Sequence, residues 1–166
     1  AQLAARALRT SPNPRVGCVI LGPSGELVAE GFHRGAGLPH AEVEALTAAG
    51  SAAAGATAVV TLEPCNHHGR TGPCTRALLD AGIARVVIGR RDPNPAAAGG
   101  ADVLQAAGVS VAYLGDEPAV AQLNRRWETA VRLGRPVVIW KTAATMDGRV
   151  AAVDGTSRWI SGPEAR

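Results

Sequence analysis

Between residues 57 and 114, short apolar segments alternate with helix-forming segments, and this alternation constrains the fold more than any other feature of the chain. The apolar segments, which have the length and composition of buried strands, are Thr57–Leu62, Arg85–Ile88 and Val109–Leu114. Residues 75–80 and 100–107 lie between them and are predicted to be helical. Strands that alternate with helices in this way predict an α/β fold with helices on both faces of a sheet.

The segments on either side of this region add further elements. Val16–Leu21 and Leu27–Phe32 are apolar, and the turn-forming residues 22–25 between them predict a β-hairpin. Further helices are predicted over residues 1–9, 40–54 and 117–133. After Gly134 the pattern restarts with a predicted strand at Val137–Trp140, and the roughly thirty residues from there are too few for a second hydrophobic core.

The composition is that of a globular protein and restricts the classes of partner. The 166 residues are 46% hydrophobic and 19% charged, which allows one domain and a little more. The net charge of +3 suits a small anionic substrate as well as it suits nucleic acid. However, three Trp, one Tyr and one Phe are the whole aromatic set, so stacking platforms for nucleic acid strands are hard to build.

The sequence also indicates where the protein resides. No apolar stretch approaches the ~18 residues of a membrane span, and no charged and then apolar leader precedes the first segment. Three cysteines do not form a disulfide framework in a chain of this length. We therefore expect a cytoplasmic protein without a membrane partner.

Two short motifs carry residues suited to zinc chemistry. His40-Ala41-Glu42 opens one predicted helix, and Cys65 and Cys74 precede or open the next, so the helix starts can converge at one edge of the sheet. One His and two Cys suit zinc, and three protein ligands leave a fourth position for water. Glu42 is then placed to move protons. The pattern matches the zinc deaminase signature of H-x-E followed by P-C-x-x-C, except that eight residues instead of two separate the cysteines.

Two other interpretations remain open at this stage. A structural zinc site could be closed by His67 or His68 as a fourth ligand, which would leave no position for water. Alternatively, a zinc deaminase of this type could act on another base, free or in RNA. Cys18 lies in an apolar strand and is predicted to be a small buried residue without a catalytic role.

The sequence closely resembles the deaminase domain of the bacterial bifunctional riboflavin-biosynthesis deaminase/reductase family over nearly its whole length. The motifs that carry the resemblance are residues 11–17, 31–33, 40–42, 61–74 and 92–95. The long spacing between the two cysteines is a feature of that family, whereas Gly72 stands where the family usually has a proline. The resemblance implies a three-layer α/β/α cytidine deaminase-like fold with a mixed central sheet.

The resemblance also implies a reaction and the residues that perform it. The expected reaction removes the amino group at C2 of 2,5-diamino-6-ribosylamino-4(3H)-pyrimidinone 5′-phosphate, giving 5-amino-6-(5-phosphoribosylamino)uracil and ammonia. By the resemblance, Glu42 is the catalytic acid and base, and one zinc ion per chain is held by His40, Cys65 and Cys74. The residues expected to bind substrate are Asn13, His33, the main chain of Ala41, His67, Arg70, Asp92 and Asn94.

The end of the chain resembles a different part of the same family. Residues 1–134 correspond to the deaminase domain, and residues 135–166 resemble the start of a dihydrofolate-reductase-like NADPH reductase domain. We expect no reductase activity from this chain, and NADPH binding only in a protein with the complete reductase domain. The family implies a homo-oligomer that acts on a small phosphorylated substrate and not on nucleic acid.

Overall fold

The computed structural model describes residues 1–69, 71–115, 117–158 and 162–165. It divides into two units, residues 1–136 and residues 137–166. Arg70, one of the predicted substrate-binding residues, lies outside the described residues. None of the helices in the described part of the chain is long and apolar enough to cross a membrane.

The first unit is built on one mixed sheet of five strands in the order β2-β1-β3-β4-β5. The strands are β1 (Gly17–Leu21), β2 (Leu27–Phe32), β3 (Thr57–Val60), β4 (Arg85–Ile88) and β5 (Ser110–Tyr113). β1 runs antiparallel to both β2 and β3, whereas β3, β4 and β5 run parallel. Because β3, β4 and β5 are parallel neighbours, their carboxyl ends lie at one edge of the sheet, which is where the chain continues into Cys65 and Asp92.

Six α-helices accompany the sheet in the described part of the first unit. They are α1 (Gln2–Ala5), α2 (Ala41–Ala49), α3 (Cys74–Asp80), α4 (Gly100–Ala106), α5 (Pro118–Leu123) and α6 (Arg125–Leu133). α2 packs on β1 and β2 and contacts α3, which in turn contacts α4. Alternate strand residues, such as Cys18, Ile20 and Val86, are completely buried in the core under these helices. The predicted α/β class with a mixed sheet is confirmed, and so is the prediction that Cys18 is a buried core residue.

The structure differs from the sequence-based elements at two places. The predicted helix over residues 117–133 is broken at Asn124, whose backbone leaves helical geometry with φ −119° and ψ 16°. Its side chain is bonded to the main chain of Arg15 instead. The predicted strand at Val137–Trp140 is wrong, because the described residues place no neighbouring strand against it and it forms no sheet pairing. The helices predicted over residues 1–9 and 40–54 are shorter, and the second ends in a 3₁₀ turn at Gly50–Ala53.

A close approach between β2 and α2 requires glycine at position 31. A Cβ added at Gly31 would lie 2.5 Å from both the carbonyl oxygen of Ala41 and the amide nitrogen of Ala45. Both are backbone atoms in the turn that follows His40, so they cannot yield without moving the helix. The glycine therefore sets how closely α2 lies on the sheet.

We expect Gly31→Ala to lower the free energy of unfolding by about 1–3 kcal/mol, because the added methyl overpacks a backbone contact. Chemical denaturation monitored by circular dichroism measures this difference. Gly72→Ala is the matched control, since no atom lies within 4 Å of a Cβ at that position. Equal unfolding free energies for the two variants would contradict the close packing of α2 on β2.

Candidate functional site

Three elements bring His40, Cys65 and Cys74 together at one end of the sheet. His40 immediately precedes α2, Cys65 follows β3 after a short extended segment, and Cys74 is the first residue of α3. One ligand atom from each residue lies within 4.8 Å of the other two. The two cysteines are buried and His40 is half-buried. Neither His67 nor His68 belongs to this cluster in the described part of the chain, which weighs against the closed structural site.

The donor set and its spacing fit a zinc ion. His40 Nδ1 lies 3.2 Å from Cys74 Sγ and 3.5 Å from Cys65 Sγ. Tetrahedral zinc with metal–ligand distances of about 2.0 Å to nitrogen and about 2.3 Å to sulfur separates such atoms by about 3.6 Å. The backbone N–H of Cys74 also donates to Cys65 Sγ at 3.4 Å, which stabilises negative charge on that sulfur. The arrangement therefore needs little adjustment to hold the metal.

The electrostatics of the cluster favour a thiolate. The thiol of Cys74, with the His40 ring and the Cys74 N–H, hydrogen bonds to Cys65 and lowers the pKa of Cys65 to about 4. The same hydrogen bond raises the pKa of Cys74, whose proton Cys65 holds in place. The pKa of His40 is raised mainly by its hydrogen bond to Cys65. The lowered pKa of Cys65 favours a thiolate where a cation binds.

Glu42 lies on the first turn of α2 beside this cluster. Its side chain is only 4% exposed, and this burial raises the pKa of the carboxyl to about 7. It lines a cavity of about 180 Å³ together with His40 and Cys65. A carboxyl whose pKa lies near neutrality can both accept and return a proton, which is the property required of a general acid and base.

Most of the predicted substrate-binding residues line this cavity. Those that line it are Asn13, His33, His67, Asp92 and Asn94. Ala41 is completely buried and is not among the described residues that line the cavity, and Arg70 lies outside the described residues. Among the described residues, none hydrogen bonds to the buried His67 Nδ1, so that nitrogen can bond to a ligand.

The orientation of Asn13 is fixed through His33. His33 Nδ1 lies 2.9 Å from the carbonyl oxygen of Pro39, which can only accept, so Nδ1 carries a proton. In the neutral ring His33 Nε2 then accepts from Asn13 Nδ2 at 3.1 Å. The Oδ1 atom of Asn13 is left to accept a hydrogen bond from a ligand in the cavity. His33 itself is 3% exposed, and its two ring nitrogens are occupied by these contacts.

The loop after β4 carries Asp92 and Asn94 and is held by side-chain hydrogen bonds. Asp92 accepts from the Asn94 N–H at 2.8 Å, and Asn94 accepts from the Ala96 N–H at 3.2 Å. Burial raises the pKa of Asp92. Local bonds of this kind fix the turn and leave the remaining carboxylate and amide atoms to face the cavity.

Glu63 ties this loop to the metal-binding segment and was missed by the sequence analysis. Glu63 is 5% exposed, and its carboxylate accepts from the Asp92 N–H and the Ala101 N–H, each at 3.1 Å. Ala101 belongs to α4, where Gly100 packs so closely that a Cβ there would overlap the carbonyl oxygen of Pro64. The only sequence signal for Glu63 is its position two residues before Cys65.

We expect Glu63→Gln to lower the free energy of unfolding by about 1–3 kcal/mol, because the amide NH₂ would face a buried backbone N–H and leave it unpaired. Urea denaturation gives the value. Glu30→Gln provides the control, because Glu30 is exposed and pairs with Arg6 at the surface, where an ion pair contributes little. If Glu63→Gln lost no more unfolding free energy than Glu30→Gln, the two hydrogen bonds from the backbone to Glu63 would not be what holds the loop.

Comparison with known proteins identifies the family to which this site belongs. The family model of the cytidine and deoxycytidylate deaminase zinc-binding region matches residues 1–90, more than half of the chain. The chain belongs to this family. The matched region includes all three residues of the metal-binding cluster and Glu42, and the prediction of a zinc-binding deaminase is confirmed.

Among curated relatives, this deaminase is similar to the riboflavin biosynthesis protein RibD of two bacteria. It is 52% identical to RibD of Escherichia coli over 158 residues, covering 95% of this chain and 43% of the relative. It is 53% identical to RibD of Corynebacterium ammoniagenes over 157 residues, covering 95% of this chain and 47% of the relative. The chain thus spans less than half the length of these relatives.

Solved structures show the same relationship. RibD of Acinetobacter baumannii has a TM-score of 0.90 at 49% identity, covering 99% of this chain and 46% of that one. The Thermotoga maritima diaminohydroxyphosphoribosylaminopyrimidine deaminase/5-amino-6-(5-phosphoribosylamino)uracil reductase has a TM-score of 0.87 at 43% identity, covering 97% and 47% of the two chains. A dCMP deaminase of cyanophage S-TIM5, at 21% identity and a TM-score of 0.53, shares the fold, covering 68% of this chain and 89% of that one.

Proposed function

We propose that this chain hydrolyses the amino group at C2 of 2,5-diamino-6-ribosylamino-4(3H)-pyrimidinone 5′-phosphate, releasing ammonia and 5-amino-6-(5-phosphoribosylamino)uracil. The observation that carries the proposal is the position of buried Glu42 beside the His40, Cys65 and Cys74 cluster, on the wall of a cavity lined with polar side chains. The similarity to RibD over 95% of the chain supports this particular substrate.

In this proposal His40, Cys65 and Cys74 hold one zinc ion per chain. The spacing of their ligand atoms and the lowered pKa of Cys65 support that assignment. When bound, zinc acts as a Lewis acid that brings the pKa of a water molecule to about 7, which makes it a nucleophile at neutral pH.

Glu42 moves the protons of the reaction. The carboxylate takes a proton from the attacking water and gives it to the ring nitrogen next to the attacked carbon. It then transfers the second proton of that water to the departing amino group, so that water and the amino-substituted ring yield a carbonyl group and ammonia. The raised pKa of Glu42 supports this relay, since a carboxyl with a pKa near 7 exchanges protons in both directions near neutral pH.

The polar lining of the cavity orients the substrate. Asn13, held by His33, recognises the edge of the pyrimidine, as does the main chain of Ala41. His67 and Arg70 face the ring or the phosphoribosyl group. Asp92 and Asn94 bind ribose hydroxyls or the phosphate end. The free Oδ1 of Asn13 and the unpartnered Nδ1 of His67 support these roles.

A more distant protein with the same fold bears on the substrate class. The Aspergillus oryzae Rib2 deaminase, 22% identical with a TM-score of 0.62, was solved in complex with DARIPP, and the match covers 80% of this chain and 93% of that one. That complex supports a small pyrimidine ligand for this fold. We infer no nucleic acid or membrane partner, a cytoplasmic location and assembly as a homo-oligomer.

Residues 135–166 are proposed to begin an NADPH-dependent reductase domain of dihydrofolate-reductase type. Two facts support this: the RibD relatives are more than twice as long as the matched region, and the Thermotoga protein is described as a reductase as well as a deaminase. NADPH binding and the second reaction are assigned to that proposed reductase domain.

Ammonia release from a panel of small substrates tests the proposed function. The zinc-loaded chain is expected to act on the diaminopyrimidine ribosyl phosphate and to leave cytidine, dCMP and guanine essentially unchanged. Activity on one of the other three compounds and not on the first would replace the proposed substrate while keeping the zinc mechanism. Absence of ammonia from all four, with zinc bound, would contradict deaminase activity on these bases.

A further inference from the structure

We propose that Trp127 is a substrate-contacting residue of this site and that the turn Asn124–Glu128 positions the loop carrying Asn13. The proposal rests on the proposed function, because it assigns a specificity role within the same cavity. Trp127 and the rest of this turn lie outside the motifs in residues 11–95, and the family model ends at residue 90. This turn contacts two loops of the cavity.

Asn124 holds the Asn13 loop by two hydrogen bonds in opposite directions. Its Oδ1 accepts from the Arg15 N–H at 2.8 Å, and its Nδ2 donates to the Arg15 carbonyl oxygen at 2.7 Å. The side chain is 7% exposed, so the loss of either bond would leave a buried polar group unpaired. This contact fixes the loop two residues after Asn13.

Trp127 holds the same loop on the other side of Asn13. Its Nε1–H donates to the Pro12 carbonyl oxygen at 3.1 Å, and its side chain lines the cavity. Since the indole N–H is used by Pro12, what Trp127 offers to a ligand is the flat ring surface. A planar pyrimidine or a ribose face can pack against such a surface, as they do on aromatic side chains elsewhere.

Glu128 connects this turn to the second substrate loop. Its carboxylate forms a bidentate ion pair with the Arg90 guanidinium, at 3.0 Å and 3.2 Å, and Arg90 precedes Asp92 by two residues. The Arg90 carbonyl oxygen accepts from the Glu63 N–H at 2.8 Å, which continues the connection toward Cys65. The turn therefore contacts both loops that carry predicted substrate-binding residues.

The buried side chains of this turn are polar, which a purely structural helix would not require. Glu128 is the only buried residue among the described residues of α6, and the preceding Asn124 is buried as well, whereas Arg125 and Arg126 are exposed. Burial of polar groups is unfavourable unless they are hydrogen bonded. Here the partners of Asn124, Trp127 and Glu128 are all in loops that line or adjoin the cavity, so the contacts organise the site more than they extend the apolar core.

Steady-state kinetics separate positioning from structure. We expect Asn124→Asp and Trp127→Ala to raise KM for the diaminopyrimidine ribosyl phosphate by about tenfold, as the loss of one buried contact predicts, with kcat and zinc content within a factor of about three of wild type. Trp127→Phe keeps an aromatic ring in the cavity but loses the hydrogen bond to the Pro12 carbonyl oxygen. Its KM should therefore fall between that of wild type and that of Trp127→Ala. Arg126→Ala, on the exposed side of α6, is the control and should match wild type.

Tryptophan fluorescence gives a readout that does not depend on turnover. The deaminated product should change the emission of wild type and of Trp140→Phe, because Trp140 is not among the described residues that line the cavity. The change should disappear in Trp127→Phe. Melting temperatures of all variants, measured by circular dichroism, identify any that fail to fold.

Each outcome decides the proposal. Unchanged KM in both Asn124→Asp and Trp127→Ala, or a product-induced emission change that survives in Trp127→Phe, would overturn it. If these variants lost both kcat and bound zinc, the turn would have a structural role only, and this result would also overturn the proposal. If the wild type releases no ammonia from this substrate, the proposed function fails first and this inference fails with it; the two failures are therefore distinguishable.

Discussion

Replacement of Glu42 by glutamine is expected to leave zinc bound and to reduce turnover by at least roughly 10²–10⁴-fold, the range associated with loss of a general acid–base group. Glutamine has nearly the same shape as glutamate, so the packing at the start of α2 is preserved. It cannot accept a proton from water and return it to the ring and the departing amine. The variant therefore removes the proton relay without removing the residues that hold the metal.

The stability of the same variant provides an internal control. Glu42 is buried and burial raises its pKa to about 7, so the folded protein bears a cost for keeping this carboxyl away from water. A neutral amide of the same size carries a smaller cost. We therefore expect Glu42→Gln to be at least as stable as wild type, with the same zinc content by elemental analysis.

Two results would contradict this role for Glu42. Turnover above about one tenth of the wild-type value would mean that another group moves the protons, since general acid–base catalysis contributes far more than that. Loss of zinc in the variant would mean that Glu42 supports the metal site itself. Single-turnover measurement of ammonia release, with zinc content measured on the same sample, separates these two cases.

The parts of the site that could be predicted from the sequence are those encoded by short local patterns. His40 and Glu42 lie two residues apart at the start of α2, and Cys65 follows a buried strand, so each motif fixes its own local geometry. The predicted hairpin located β1 and β2, and the alternation of apolar strands and helices located the parallel strands β3, β4 and β5 within a few residues. Their ends converge because neighbouring parallel strands must end at the same edge of the sheet.

The contacts that the sequence analysis missed join residues far apart in the chain. Trp127 and Pro12 are 115 residues apart, and Asn124 and Arg15 are 109 apart, so no periodicity or motif spacing links them. The same contact explains the break between α5 and α6, because the Asn124 side chain is committed to Arg15. Glu63 lies within a recognised motif, but its contacts with Asp92 and Ala101 form only when β3 and β4 are paired.

The prediction of a strand at Val137–Trp140 was wrong because it, too, depended on contacts with other parts of the chain. Strand formation depends on a neighbouring strand that accepts and donates backbone hydrogen bonds, and a pattern of apolar residues does not supply one. In the described residues all sheet pairing lies in the first unit. Val138 and Trp140 are largely exposed instead.

Replacement of Cys74 by alanine is expected to reduce zinc to well below one ion per chain and deaminase activity to background. Two ligands remain in that variant, and they cannot complete the coordination that a catalytic zinc needs. The hydrogen bond from the Cys74 thiol that lowers the pKa of Cys65 is lost as well, so the remaining thiolate is less available at neutral pH. Both effects weaken metal binding in the same direction.

Cys18→Ala is the matched control, because Cys18 is equally buried but lies in the core on β1, outside the metal-binding cluster. It removes one sulfur from the protein without removing a ligand. We expect it to keep one zinc per chain and to lose about 1 kcal/mol of unfolding free energy, as a small cavity in the core predicts. A comparison of the two variants therefore separates loss of a ligand from loss of a buried thiol.

Thermal unfolding with and without a chelator completes the test. A metal that binds only the folded state stabilises it by mass action, so chelation should lower the melting temperature of wild type and of Cys18→Ala. It should leave Cys74→Ala nearly unchanged, because that variant holds no zinc to remove. If Cys74→Ala retained zinc and its response to chelator, a residue other than Cys74 would have to complete the site.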